Sequence, residues 1–79
     1  MQINVQYFAL MREQAGRAQE SVETHAVTPA DLFAELKRKH GFSLSQDQLK
    51  VAVNAEFGTW TQTLSAGDTV VFIPPVAGG

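Results

Sequence analysis

The 79-residue chain predicts an α+β fold, a small mixed sheet packed on one main helix. Three observations carry that expectation. Apolar and polar residues alternate with a period of two over Gln2–Tyr7, and Thr69–Ile73 is a strand-like run near the other end of the chain. A single well-capped helical segment begins at Thr28. The segments follow the order strand, strand, helix, strand, short strand, strand. The length fits one small domain, residues 1–79, with a C-terminal tail from about residue 74.

Taken in order, Ile3, Val5 and Tyr7 form the inward set of the first strand. Phe8 falls on the polar phase with Gln2, Asn4 and Gln6. Residues 10–15 read as a short helix stopped by Gly16, and residues 18–24 as the second strand. Thr28-Pro29-Ala30-Asp31 starts the main helix: Thr28 caps, Pro29 suits the first turn and Asp31 lies three residues past the cap. Leu32, Phe33 and Leu36 make its apolar stripe. Gly41 ends it, with Phe42 folding back in a Schellman-type contact.

Residues 43–49 are polar and turn-like. The third strand follows over residues 50–54, with Val51 and Val53 on one face. Asn54-Ala55-Glu56 predicts a turn with Phe57 at or just past it, and Thr59-Trp60-Thr61 a short strand. Ala66-Gly67-Asp68 is a turn before the last strand, Thr69–Ile73. The first and last strands are expected to be central, parallel neighbours, which is the ubiquitin-like β-grasp arrangement.

Composition excludes several function classes. A formal charge of −2 supplies no electrostatic footprint for nucleic acid. The basic run Lys37-Arg38-Lys39 sits where it complements a helix dipole. The chain has no cysteine, hence no disulfide, no thiol nucleophile and no side-chain persulfide. No apolar run reaches membrane-spanning length, and Met1 opens directly into a strand pattern, so no signal peptide is expected. No membrane association and a cytoplasmic location are expected. His25 and His40 read as ordinary polar residues, with no metal site. There is no nucleophile–base pair and no phosphate-cradling glycine loop, so the chain alone is expected to be non-catalytic.

The chemistry is concentrated at the end of the chain. Pro74-Pro75 cannot extend a ladder and favours a stiff, extended exit from the last strand. Val76, Ala77, Gly78 and Gly79 follow, a reach of at most ~13 Å. Gly78 and Gly79 lack a Cβ and so fit a channel too narrow for side chains. The pattern predicts a terminal carboxylate presented to the active site of another protein.

Over essentially its whole length the chain resembles the small subunits of molybdopterin synthase. The resemblance rests on Tyr7-Phe8-Ala9 with Met11-Arg12-Glu13, on Val51-Ala52-Val53-Asn54, on Ala66-Gly67-Asp68, and above all on the block from Phe72 through Pro74-Pro75 to Gly78-Gly79. It departs at Ile73, where an aromatic is common, and at Ala77, where serine or threonine is common. The resemblance implies a sulfur carrier. An ATP-dependent, ubiquitin-activating-like enzyme adenylates Gly79, and a sulfur donor protein supplies the sulfur of a thiocarboxylate. The tail then donates that sulfur to a precursor pterin inside the synthase large subunit, in a heterotetramer. No cofactor is expected on this chain, since ATP is used by the activating enzyme. Gly78 provides clearance and residues 74–77 position the tail. Phe8, Phe57, Ile73 and Arg12 are expected to meet partners. Three alternatives remain: a thiamine-type sulfur carrier, a ubiquitin-like protein modifier, and a plain interaction module.

Overall fold

In the computed structural model, which describes residues 1–75, the first strand forms where the alternation places it. Ile3, Val5 and Tyr7 are buried along β1 (Gln2–Tyr7), with Gln2 and Asn4 exposed between them. α1 (Ala9–Ala15) follows and stops on Gly16 in the left-handed conformation, φ 76°. β2 (Gln19–Glu23) returns antiparallel to β1, with Ile3 opposite Val22 and Val5 opposite Glu20.

α2 (Pro29–His40) begins at the capping signature. Thr28 Oγ1 accepts from the Asp31 N–H at 3.2 Å, and Pro29 opens the first turn. Leu32, Phe33 and Leu36 are buried against the sheet. At the far end the Gly41 N–H donates to the Lys37 carbonyl at 2.8 Å with φ 72°. That single bond is the αL stop, not the Schellman pair the sequence suggests. Phe42 does fold back, 5.4 Å from the His40 ring and stacked on Phe33 at 6.3 Å.

A 3-10 turn at Gln46–Gln48 leads to β3 (Lys50–Val53), β4 (Glu56–Phe57) and β5 (Thr69–Ile73). The sheet order is β2-β1-β5-β3-β4. β1 and β5 are parallel neighbours, with Val5 opposite Val70 and Tyr7 opposite Phe72, and β3 runs antiparallel on the other side of β5. α2 supplies the crossover that a parallel pair needs. It covers one face, and the core between them joins Ile3, Val5, Leu36, Val51, Val70 and Phe72. This is the ubiquitin-like β-grasp, with the opposite face of the sheet uncovered.

One element differs from the sequence reading. Thr59-Trp60-Thr61 is not a strand, and the short strand is Glu56–Phe57. Trp60 turns into the core, its ring stacked on Phe72 at 5.9 Å and edge-on to Phe33 at 5.8 Å. Its carbonyl accepts from the Ala30 N–H at 3.1 Å, so the segment is tied to the start of α2 and not to a neighbouring strand. The turn is tight: Gln62 Oε1 accepts from the Thr59 N–H at 2.8 Å and fills the space a Cβ on Gly58 would occupy. Among the described residues no helix is long and apolar enough to cross a membrane.

Candidate functional site

The uncovered face of the sheet is built by the outward phase of four strands. Register aligns Gln6 with Val71, Val71 with Ala52 and Ala52 with Phe57, one row across β1, β5, β3 and β4. Phe8 and Ile73 lie one step further toward the end where β5 finishes. Together with Ala55 these residues line an apolar depression of about 230 Å³. Phe8, Phe57 and Ile73, singled out separately in the sequence by phase, are therefore neighbours around one hollow. Phe8 is 50% and Phe57 76% exposed. Two large exposed aromatics flanking an apolar floor differ from the scattered single residues of an ordinary surface.

Both aromatics are carried on unusual backbone. Phe8 is the N-cap of α1, and Ala9 beside it has φ 49°. Phe57 follows Asn54 and Ala55, with φ 53° and 70°, the two left-handed residues of a tight hairpin turn. The Asn54 side chain locks that turn. Its Oδ1 accepts from the Thr69 N–H and its Nδ2 donates to Asp68 Oδ1, both at 2.9 Å. Left-handed conformation in non-glycine residues costs about 1 kcal/mol or more each. Here it fixes the positions of the exposed rings.

Ile73 passes the chain to Pro74, half-buried, and Pro75, exposed. The depression thus borders the exit of the tail. Val76, Ala77, Gly78 and Gly79, to which the sequence assigns the chemistry, lie outside the described residues. Arg12 is exposed on α1 and does not itself line the depression, though its N–H donates to the carbonyl of Phe8, which does. A larger hollow of about 500 Å³ lies over β1 and β2, lined by Asn4, Val5, Gln6, Gln19, Glu20, Ser21 and Thr69. Its lining is mostly polar, and the apolar depression is the better anchor site because desolvation there is favourable.

Behind the depression, on the helix side of the same strand ends, lies a polar cluster that the sequence reading missed. The Glu20 side chain is only 3% exposed. Tyr7 Oη donates to Glu20 Oε2 at 2.5 Å, and Lys39 Nζ donates to Oε1 at 3.2 Å. His40 Nε2 lies 2.6 Å from Oε2. An ionised carboxylate only accepts, so this ring nitrogen carries the proton. Burial opposes ionisation of Glu20, but the hydrogen bonds from Tyr7, His40 and Lys39 together outweigh it and hold its pKa down to about 2. Burial and the same carboxylate push the Tyr7 phenol up, so it remains a neutral donor.

A depressed carboxylate contributes stability that is present above its unfolded pKa and lost as pH falls through the folded one. Stability is therefore expected to drop between about pH 5 and pH 2, read from urea midpoints at stepped pH. Glu20→Gln is expected to flatten that drop and to cost ~1.5–3 kcal/mol at neutral pH, the range for hydrogen bonds to a charged group. A residual slope belongs to Asp47, held low by the Ser45 hydroxyl, and Asp68, held low by the Ser65 N–H. Equal pH profiles for both proteins contradict the assignment.

The chain matches the model of the ThiS family over residues 5–79. Among solved structures it is similar to a putative molybdopterin converting factor subunit 1 from Pyrococcus furiosus. The two are 30% identical with a TM-score of 0.79, over 96% of this chain and 99% of that one. It is also similar to SAMP1 from Haloferax volcanii, 26% identical with a TM-score of 0.83 over the whole of both chains. A complex of subunits 1 and 2 of the molybdopterin-converting factor from Helicobacter pylori contains a chain of the same fold, 24% identical with a TM-score of 0.70 over the whole of both chains.

Proposed function

The chain belongs to the ThiS family, and from that premise we propose that it is a sulfur carrier working through its Gly79 carboxylate. The carboxylate attacks the α-phosphorus of ATP on an activating enzyme, and pyrophosphate leaves. Sulfur at the oxidation level of sulfide, delivered by a donor protein, attacks the carbonyl carbon. The C–O bond to AMP breaks and a thiocarboxylate remains. In the large subunit of molybdopterin synthase its sulfur is transferred to a precursor pterin, and water restores the carboxylate. The carrier supplies the reacting atom, the partners supply the catalytic groups, and ATP is consumed by the activating enzyme. The complex is a cytoplasmic heterotetramer, a transferase of which this chain is the sulfur-donating subunit.

The observation that carries this reading is the apolar depression gathering Phe8, Phe57 and Ile73 at the point where β5 releases the tail. A partner anchored there holds the four residues beyond Pro75 within ~13 Å of its own active site. The likeness to subunit 1 of a molybdopterin converting factor supports the large subunit as that partner. Deletion of the gene is expected to remove molybdoenzyme activity while leaving growth without thiamine intact. The opposite phenotype assigns the chain to thiamine synthesis.

The likeness to SAMP1, a small archaeal modifier protein, supports a second reading as a protein modifier. Conjugates between Gly79 and lysines of other proteins, found in a cell lysate, distinguish that reading from the carrier.

Pro74 and Pro75 act as a stiff spacer in this account. Replacing both with Ala is expected to weaken binding to the large subunit about tenfold, ~1.4 kcal/mol, by adding tail entropy. The sulfur-transfer step at saturating partner is expected to be unchanged. Loss of that step in a normally folded variant assigns the prolines direct contacts instead.

A further inference from the structure

Adenylation turns the tail into an electrophile, which an amine within reach can attack. The amines of the chain differ in how far they are already engaged. Lys37 Nζ donates to the Leu44 carbonyl at 2.9 Å, and Lys39 Nζ donates to Glu20 Oε1 at 3.2 Å. The Met1 amino group donates to the Thr24 carbonyl at 2.8 Å. It stands at the start of β1, the far end of the sheet from the tail, because β1 and β5 are parallel. Lys50 is exposed at the start of β3, and among the described residues its Nζ makes no hydrogen bond or ion pair. The Nζ lies over the Phe57 ring, 5.9 Å from its centroid. Lys50 pairs with Ile73, the last residue of β5, and antiparallel partners stand ~5 Å apart at Cα. Opposite residues share a face, so Lys50 stands at the rim of the depression that Phe57 and Ile73 line, where the tail leaves.

Chain length lets the two groups meet. An extended Pro74-Pro75 carries the chain ~6 Å outward from Ile73. The four residues beyond Pro75 reach ~13 Å, about twice the distance back. The four-carbon stem of Lys50 adds to that reach. An amine tethered in this way attacks at an effective concentration far above that of an amine on another molecule. We propose that Lys50 is an intrachain acceptor for the activated tail, a modification site that closes the chain on itself when sulfur is not delivered. The inference rests on the carrier reading above. It applies to an acyl adenylate whose tail leaves the activating enzyme before sulfur arrives. The unprotonated Nζ attacks the Gly79 carbonyl carbon and a carbon–nitrogen bond forms. The C–O bond to AMP breaks, AMP leaves with the electron pair, and the nitrogen gives one proton to water. The resulting isopeptide bond removes the carboxylate that would carry sulfur and the positive charge beside Phe57. Sulfide-level sulfur competes for the same carbon, so the closed form accumulates only when the donor is idle.

The test incubates the full chain with its cognate activating enzyme and ATP, without a sulfur donor, and reads the intact mass after denaturation. A monomer lighter by one water is expected, dependent on ATP, with Lys50 joined to Gly79 in its peptide fragments. Lys50→Arg keeps a cation over the Phe57 ring and removes the attacking amine. It is expected to lower the closed fraction at least about tenfold, since no other amine is tethered as near the tail. Lys37→Arg is expected to close as the wild type does. Reductive dimethylation of the wild-type lysines keeps their charge and is expected to prevent closure as Lys50→Arg does. Supplying the sulfur donor is expected to replace the closed form with the thiocarboxylate. Thermal melting verifies that each variant is folded, and pyrophosphate release that it is adenylated. Adenylation of the wild type without loss of water, a bond to another lysine, or a covalent dimer in place of the closed monomer overturns this inference and leaves the carrier reading standing. A wild-type chain that the enzyme never adenylates overturns the carrier reading and this inference with it.

Discussion

Deletion of Gly79 is expected to abolish thiocarboxylate formation while leaving the protein folded. Among the described residues every buried core residue lies between Ile3 and Phe72, and the fold is expected to form without the terminal residue. The shortened chain keeps Phe8, Phe57 and Ile73 and is expected to bind the large subunit with close to wild-type affinity. Its new carboxylate falls about one residue, ~3.3 Å, short of the reacting position. Since displacement by ~1 Å can already cost a hundredfold in rate, the loss is expected to exceed that. Extension by one residue past Gly79 moves the reactive carbon the other way and is expected to fail equally. Gly78→Val keeps the length and adds a branched side chain, so its failure isolates clearance from reach. The assays are adenylation and sulfur loading with the activating enzyme, and sulfur transfer with the large subunit. Normal turnover by the shortened or the extended chain contradicts a mechanism through the terminal glycine.

Substituting the exposed aromatics is expected to produce the second largest effect. Phe57→Ala and Phe8→Ala are each expected to weaken association with the large subunit by ~1–3 kcal/mol, about 5- to 150-fold in Kd. Their effect on folding is expected to be small, because Phe57 is 76% exposed and Phe8 half exposed. Phe72→Ala is the contrasting control. Phe72 is fully buried against Trp60 and Phe33, and its truncation is expected to cost ~3–5 kcal/mol of stability. Titration calorimetry on variants of matched melting temperature separates the two kinds of loss. If Phe57→Ala lowers the melting temperature as Phe72→Ala does and binds normally per folded molecule, the ring belongs to the fold and not to an interface.

Much of this architecture is local and hence legible. The alternation of Ile3, Val5 and Tyr7 fixes the phase of β1, and with it the outward placement of Phe8. Thr28, Pro29 and Gly41 mark both ends of α2 through bonds to residues three or four positions away. The parallel pairing of β1 with β5 follows from segment order and the crossover helix. What escaped the sequence depends on distant partners. Thr59-Trp60-Thr61 carries a strand-like pattern, yet Phe72, Phe33 and the Ala30 N–H decide its conformation. Glu20 reads as one more polar residue in an edge strand. Its role appears only when Tyr7, thirteen residues before it, and His40, twenty after it, close on its carboxylate. Its signal in the sequence is its position opposite Val5, on the inward phase, where an unpaired acid is not tolerated. Likewise Ala52 and Val71 join Phe8 and Phe57 only through cross-strand register. The tail chemistry rests on the Pro-Pro and Gly-Gly pattern and the family resemblance, and residues 76–79 lie outside the described residues.

The most direct test of the carrier role is the intact mass of the full chain after incubation with its activating enzyme, ATP and a sulfur source. The account predicts a gain equal to the exchange of one oxygen for one sulfur, dependent on ATP and placed at Gly79 by fragmentation. An unchanged mass while the same enzyme preparation thiolates another carrier, or a sulfur found anywhere but Gly79, contradicts it.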